Sequence, residues 1–138
     1  MLPALLRLSH QKLIQEFGRW LVETGHEDVQ PAHSAAIQAL VGRPEGERLT
    51  ALAQTARITK QSMGALVDHL EQRGYVERVA DPDDGRAQRV RLTAKGRGYA
   101  EHVRGFARKV ESDWARRVGA RRVEELRRTL SELVLDDG

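Results

Sequence analysis

Apolar residues recur at helical spacing at the start of the chain. Six of them line one face of a helix: Leu2, Leu6, Leu13, Phe17, Trp20 and Leu21. This periodicity predicts an amphipathic helix over residues 2–24. Gly25 favours the end of this helix, and Pro31 suits the first turn of a second helix that reaches about Val41.

Two short helices are predicted in the middle of the chain. Thr50 can cap the first, which continues to about Ala56, and Thr59 can cap the second, which covers residues 60–73. The second helix has an apolar face with Met63, Leu66, Val67 and Leu70 and an opposite face with Lys60, Gln61, Gly64, Ala65 and Asp68. Because that opposite face is small and polar, it can lie close against another molecule.

A β-hairpin is predicted next. Residues 75–79 and 87–92 alternate between apolar and polar side chains, and a loop with Pro and Gly at 80–85 separates them. Val90 and Leu92 are expected to point inward, and Arg89 and Arg91 outward. Two short helices followed by a hairpin make a winged helix-turn-helix. We therefore predict a mainly α fold with a small two- or three-stranded β-wing, flanked by long N- and C-terminal helices.

The last third of the chain predicts two more helices. Thr93 can cap a long helix whose apolar stripe is Tyr99, Val103, Phe106, Val110, Trp114 and Val118. Gly119 interrupts this stripe, and a final helix carries Val123, Leu126, Leu130 and Leu133. The stripes on the first and last helices are longer than the core of a small winged helix can cover. Burial against a second copy is the simplest solution, so we expect a homodimer.

Composition excludes several kinds of chemistry. The chain has no cysteine, which removes disulfides, thiolate nucleophiles and cysteine-based zinc sites. It has no Gly-rich phosphate loop and no Ser, His and Asp set in a recognisable context, so we expect no enzyme, no catalytic residue and no cofactor. His26, Glu27 and Asp28 are adjacent, but three consecutive side chains point to different sides. A loop is therefore favoured over a metal site there.

Charge permits a nucleic-acid partner without demonstrating one. The net charge is only +3, although 19 of the 23 basic residues are arginine, which suits bidentate contact with phosphate and guanine. Apolar runs are too short for a membrane span. Arg7 and His10 also interrupt the apolar start of the chain, so we expect no secretory leader and no membrane partner, and a cytoplasmic location.

Residues 48–96 resemble the DNA-binding core of the MarR family of transcription regulators. The most specific part is the wing, DPDDGRAQRVRLT, which matches the family pattern Asp-Pro-x-Asp-x-Arg followed by Val-x-Leu-Thr. The flanking helices match the family layout, so the resemblance covers nearly the whole chain. It implies a single domain over 1–138, in which 1–30 and 93–138 form the dimer and 31–92 form the winged lobe.

The resemblance also implies which residues contact DNA. The reading helix falls on residues 59–73, and its candidate contacts are Thr59, Lys60, Gln61, Ser62, Gly64, Ala65 and Asp68. In the wing, Arg86 corresponds to the arginine of the minor groove, Asp84 to the carboxylate that orients it, and Arg89 to a flanking phosphate contact. Arg57 departs from the family, because many members have glycine in this turn. A left-handed arginine there would cost about 1 kcal/mol.

The function implied is a repressor that binds double-stranded DNA at a pseudo-palindromic operator and is released by a small aromatic or anionic effector. Trp20, His33 and Tyr99 are candidates for lining the effector pocket, chosen for helix position and chemistry. Packing is the competing interpretation of Trp20 and His33. A winged helix that binds protein instead of DNA is an alternative function, and the sequence does not separate a repressor from an activator.

Overall fold

The computed structural model describes residues 1–135, with only the main chain of Pro31, and these residues form six helices and one small sheet. The helices are α1 (Leu2–Glu23), α2 (Pro31–Leu40), α3 (Leu49–Ala56), α4 (Lys60–Gln72), α5 (Ala94–Val118) and α6 (Ala120–Leu135), and the strands are β1 (Val76–Ala80) and β2 (Gln88–Leu92). This order confirms the predicted winged helix-turn-helix. None of these helices is both long and apolar enough to cross a membrane.

The chain divides into two compact units. The first covers residues 1–101 and the second residues 102–138, with the boundary inside α5. The predicted dimerisation segment 93–138 spans this boundary, and its last residues, 136–138, lie outside the described part. The division of the chain at residues 30 and 93 stays a prediction.

The core of the first unit is built on one face of α4. Met63, Val67 and Leu70 are each at most 1% exposed, and they follow the helical spacing that predicted this face. The unit also buries these side chains: Leu21, Ile37, Leu40, Leu52, Tyr75, Val76, Val90 and Tyr99. Aliphatic side chains dominate this core because the chain has few aromatic residues.

Threonine caps begin two of the helices as predicted. The Thr59 hydroxyl oxygen accepts a hydrogen bond from the Ser62 amide at 3.0 Å, and that of Thr93 accepts one from the Gly96 amide at 3.2 Å. Gly96 is also required for packing, since a Cβ there would collide with the carbonyl oxygen of Tyr75. The predicted cap at Thr50 is wrong, because α3 already begins at Leu49.

The early start of α3 follows from a main-chain bridge to the wing. The Glu47 amide donates to the Val90 carbonyl at 2.9 Å, and the Val90 amide donates to the Glu47 carbonyl at 2.8 Å. This single bridge adds a short third segment to the antiparallel pair β1–β2. It holds the residue before α3 against the sheet, so Arg48 occupies the N-cap position without a side-chain cap.

The hairpin has the predicted alternation with small shifts at its ends. Each strand begins one residue later than predicted, and Val76 pairs with Leu92 while Ala80 pairs with Gln88. Val90 is 2% exposed, whereas Arg89 on the opposite face of the hairpin forms an ion pair with Asp81. The alternation therefore identifies the buried face correctly, although the strand ends depend on the bridge and the loop.

Arg57 adopts the left-handed conformation, with φ 58° and ψ 42°. Replacing it with glycine, R57G, removes the clash between Cβ and the backbone. We expect the free energy of unfolding to rise by about 1 kcal/mol in urea titrations. R73G is the matched control, because Arg73 also ends a helix but has an ordinary φ of −96°. An equal gain in both variants would show that Arg57 stores no backbone strain.

Candidate nucleic-acid interface

The outer face of α4 is open, as its sequence indicates. Thr59, Lys60, Gln61 and Ser62 at its start are exposed, as are Ala65 and Asp68 further along. Gly64 is half-buried, and a Cβ added there would make ordinary van der Waals contact with a methyl group of Leu49 at 3.7 Å. Because the side chains of the small residues on this face project little from the helix, a second molecule can approach the helix backbone closely.

Two of these candidate contacts already have partners within the protein. The Thr59 hydroxyl caps α4 and donates to the Ser62 hydroxyl oxygen at 2.9 Å. Asp68 accepts from Arg78 of β1 at 2.7 Å, and the same guanidinium reaches Glu71 at 2.6 Å. Asp68 thus helps to tie the wing to α4. Sequence analysis missed Arg78, although its outward position on a strand beside α4 was a usable signal.

Asp81 is the centre of the wing, and sequence analysis assigned it no role of its own. Its carboxylate is fully buried, and Oδ2 accepts from the Nε of Arg48 at 2.8 Å and from the Nε of Arg89 at 2.9 Å. Its Oδ1 accepts from the amides of Asp83 at 2.8 Å and Asp84 at 3.3 Å. Hydrogen bonds from Arg48 and then Arg89 hold the pKa of this carboxyl well below its usual range.

The loop of the wing places Arg86 at an exposed position. The Asp84 carboxylate accepts from the main-chain amide of Arg86 at 3.1 Å, so it orders the turn around that residue. No bond from Asp84 to the guanidinium is present in the described structure. Arg89 is less exposed than Arg86, since it binds Asp81 and lies 3.6 Å from Asp83.

A groove of about 560 Å³ separates α4 from the wing. Its lining comes from the start of α3, the first turn of α4 and both sides of the hairpin. The cations that line it are Arg48, Lys60, Arg78 and Arg86, and none of its described lining residues is acidic. Arg48 and Arg78 are paired with carboxylates outside the lining, whereas Lys60 and Arg86 make no ion pair within the described residues. These two unpaired cations give the groove a positive charge that attracts polyanions.

The three candidate effector residues lie in different places. Trp20 stacks on Phe17 with ring centroids 5.9 Å apart, and His33 stacks on His69 at 3.8 Å. Tyr99 is fully buried and packs edge-on against His26 and Tyr75, with centroids 5.1 and 5.7 Å away. No described ring contact joins any two of the three candidates.

The Tyr99 hydroxyl is a buried polar group without a satisfied hydrogen bond. It lies beside Ser34, but by hydrogen-bond geometry it has no partner among the described residues. Burial raises the pKa of this hydroxyl more than the neighbouring Ser34 side chain lowers it, so the hydroxyl is protonated at neutral pH, as in an ordinary tyrosine. A buried hydroxyl without a hydrogen bond lowers the free energy of unfolding, and a polar group of a bound molecule would supply the missing hydrogen bond.

The segment His26–Asp28 is a hydrogen-bonded loop. His26 lies 3.2 Å from the Tyr75 hydroxyl, which donates to the Asp28 carboxylate at 3.0 Å. His69 lies 2.9 Å from the Asp28 carbonyl oxygen. Among residues 1–135, no group of three potential metal ligands converges. These contacts agree with the interpretation of this segment as a loop.

Apolar side chains remain exposed in both units. On α1, Leu2, Leu5 and Leu8 are 50–63% exposed, and on α6, Leu133 and Val134 are 63% and 64% exposed. The second unit also has a groove of about 510 Å³ between α5 and α6, where Trp114, Val118 and Leu126 are among the lining residues. Apolar surfaces of this extent are typical of protein interfaces.

Comparison with known proteins identifies related regulators. The family model for the MarR family matches residues 27–87. The HTH-type transcriptional repressor Rv2887 of Mycobacterium tuberculosis is 33% identical over 85 residues, which is 62% of this chain and 61% of that protein. The transcriptional regulator HosA of Escherichia coli O111:H- is 33% identical over 95 residues, or 67% of this chain and 70% of HosA.

Solved structures with the same fold include two of the repressor CouR. CouR bound to a 23-mer DNA duplex has a TM-score of 0.80 and 24% identity, with 96% of this chain and 92% of that chain covered. CouR from Rhodococcus jostii RHA1 bound to p-coumaroyl-CoA has a TM-score of 0.74 and 23% identity, with 94% and 88% covered. At these identities the likeness shows the fold.

His33 should make the stability of the protein depend on pH. Burial, then the neighbouring His69 and Arg73, lowers its pKa, so the folded chain resists a proton that the unfolded chain accepts. We expect the free energy of unfolding to be highest above pH 6.5, the ordinary histidine pKa, and to fall as pH decreases towards the lower folded value. Urea titrations between pH 5 and 8 measure this slope.

The variant H33Q should flatten this pH dependence. Glutamine can replace histidine in the capping box with Gln30, so α2 retains its first turn. H10Q is the control, because His10 is exposed on α1. The interpretation fails if H33Q and H10Q both retain the slope of the parent protein.

Proposed function

Since the chain belongs to the MarR family, we propose that it is a transcription regulator that binds specific double-stranded DNA as a homodimer. The observation that carries this proposal is the joint exposure of the α4 face and Arg86, with a cationic groove between them. Relatives that are transcriptional repressors favour repression over activation. A regulator of this kind needs access to chromosomal DNA, so we expect a cytoplasmic protein without catalytic activity.

In this proposal α4 enters the major groove of DNA. An α-helix fits that groove, where the base edges present a distinct pattern of donors and acceptors. Gln61 and the Ser62 hydroxyl can bind base edges or phosphate, and Lys60 contacts phosphate. Gly64 and Ala65 allow the helix backbone to approach the bases.

In this proposal Arg86, in the loop of the wing, enters the adjacent minor groove. The narrow minor groove has a negative potential that attracts guanidinium groups. Asp84 fixes the main chain of Arg86, so the turn is ordered before DNA arrives. Asp81 holds the Arg89 side chain at the flank of the wing. We assign Arg89 a contact with a flanking DNA phosphate, and this contact depends on the ion pair with Asp81.

A second copy of the chain would cover the exposed apolar surface. The exposed leucines of α1 and α6, together with the groove at Trp114, are surfaces that a symmetric dimer buries. Two-fold symmetry would put the two α4 helices about one DNA turn, or roughly 10 bp, apart. The operator is then a pseudo-palindrome.

An effector would bind beside Tyr99. Its buried hydroxyl lacks a partner among the described residues, and CouR, a protein of the same fold, binds p-coumaroyl-CoA. A small aromatic or anionic ligand would release DNA if it bound more tightly to an arrangement of the two winged lobes that does not match the operator. Of the three sequence candidates, Tyr99 has the strongest structural support, and Trp20 and His33 stay proposals as effector contacts.

The variant R86A tests the DNA interface. We expect operator affinity to fall by about 1–3 kcal/mol, because the guanidinium is lost from the minor groove. Fluorescence anisotropy on a duplex selected from random sequences measures this change. R19A is the control, since Arg19 is exposed on α1, away from the groove. Unchanged affinity in R86A, with a flat dependence on salt, would favour a winged helix that binds protein.

The variant L133E tests the dimer. Leu133 is 63% exposed, so glutamate should leave the fold of a single chain intact but place a charge in the proposed interface. We expect the dissociation constant of the dimer, measured by sedimentation equilibrium, to rise at least tenfold. E132Q changes the neighbouring exposed residue and should leave the dimer intact. If L133E and E132Q have the same dimer dissociation constant, Leu133 of α6 is not part of the dimer interface.

A further inference from the structure

We propose that Arg48 binds a DNA phosphate and that Asp81 is the residue that positions it. Neither residue belongs to the contacts that the sequence suggested, and this proposal rests on the proposed DNA-binding function. The structural basis is one buried carboxylate oxygen shared by two arginines from different elements. One of these arginines precedes α3, and the other, Arg89, lies on β2.

The hydrogen bond to Asp81 uses only one edge of the Arg48 guanidinium. Nε donates to Oδ2 at 2.8 Å, whereas the two terminal nitrogens make no hydrogen bond within the described residues. The side chain of Arg48 is 48% exposed, compared with 21% for Arg89. The free edge therefore offers two parallel donors, which match the oxygens of a phosphate diester.

The ion pairs at this site leave Arg48 with fewer partners than Arg89. Both guanidinium groups bind Asp81, and Arg89 also lies 3.6 Å from Asp83. Arg48 makes no ion pair other than the one with Asp81 among the described residues, so the second edge of its guanidinium stays open to an anion. The low pKa of Asp81 keeps the carboxylate ionised, so the anchor is present at physiological pH.

The position of Arg48 in the fold determines which part of a bound DNA duplex it would contact. It lines the groove between α4, where Lys60 lies, and the wing tip, where Arg86 lies. If α4 occupies the major groove and the wing the adjacent minor groove, the strand between these grooves is a sugar-phosphate backbone. A cation between the two reading elements thus faces phosphate rather than a base edge.

Asp81 would fix this contact before DNA arrives. A free arginine loses side-chain entropy when it binds, whereas Arg48 is already held at Nε. The same carboxylate orders the loop of Arg86 through the amides of Asp83 and Asp84. Asp81 would therefore set the distance between the phosphate contact and the minor-groove contact.

The salt dependence of DNA binding tests the role of Arg48. Affinities of the parent protein, R48Q and R43Q are measured on operator and random duplexes between 50 and 300 mM salt. R48Q should bind both duplexes about tenfold more weakly and lower the slope of log affinity against log salt by about one. R43Q is the control, because Arg43 is 55% exposed and paired with Glu47 but does not line the groove. Thermal unfolding monitors the fold of each variant.

The role of Asp81 is tested by D81N in two backgrounds. If Asp81 positions Arg48, D81N should reduce affinity more in the parent protein than in R48Q, where only its effect on Arg89 and on the loop of Arg86 remains. Equal losses in the two backgrounds would overturn the positioning role, and an R48Q protein with the parent's affinity and slope would overturn the phosphate contact. A folded parent protein that binds no duplex would instead overturn the proposed function, which separates the two failures.

Discussion

The candidate interface depends on the one-sided burial of α4. Met63, Val67 and Leu70 are buried almost completely, and this packing fixes the rotation of the helix about its axis. The opposite face is then turned to solvent, where Gln61 and Ala65 are exposed. A change in that rotation would bury polar groups and expose the core, so the packing of the core determines which residues another molecule can reach.

Ion pairs fix the wing relative to this helix. Arg78 joins β1 to Asp68 and Glu71 of α4, and Asp81 joins the residue before α3 to β2. A two-stranded hairpin alone is marginally stable, so these contacts and the bridge at Glu47 matter for its position. They make the distance between α4 and Arg86 a property of the fold, which is what simultaneous contact with two grooves requires.

The apolar surfaces and the buried Tyr99 hydroxyl point to parts of the function that lie outside a single chain. Leucines on α1 and α6 are exposed although their spacing is that of a buried face. Tyr99 is buried, yet its hydroxyl lacks a partner in the described residues. Both features are costly for an isolated chain, and a second copy and an effector are the respective partners that we propose.

The sequence by itself determined the order of helices and strands and the buried face of α4. These features follow from periodicity, caps and local backbone preferences, which act between residues close in the chain. Only the tertiary structure revealed that Asp81 binds Arg48, a residue 33 positions earlier, and that Arg78 engages Asp68. It also showed that α3 begins before Thr50, where the chain forms a bridge to the wing. Such contacts depend on how separate elements pack, and no local pattern encodes which charged side chain of one element meets which carboxylate of another.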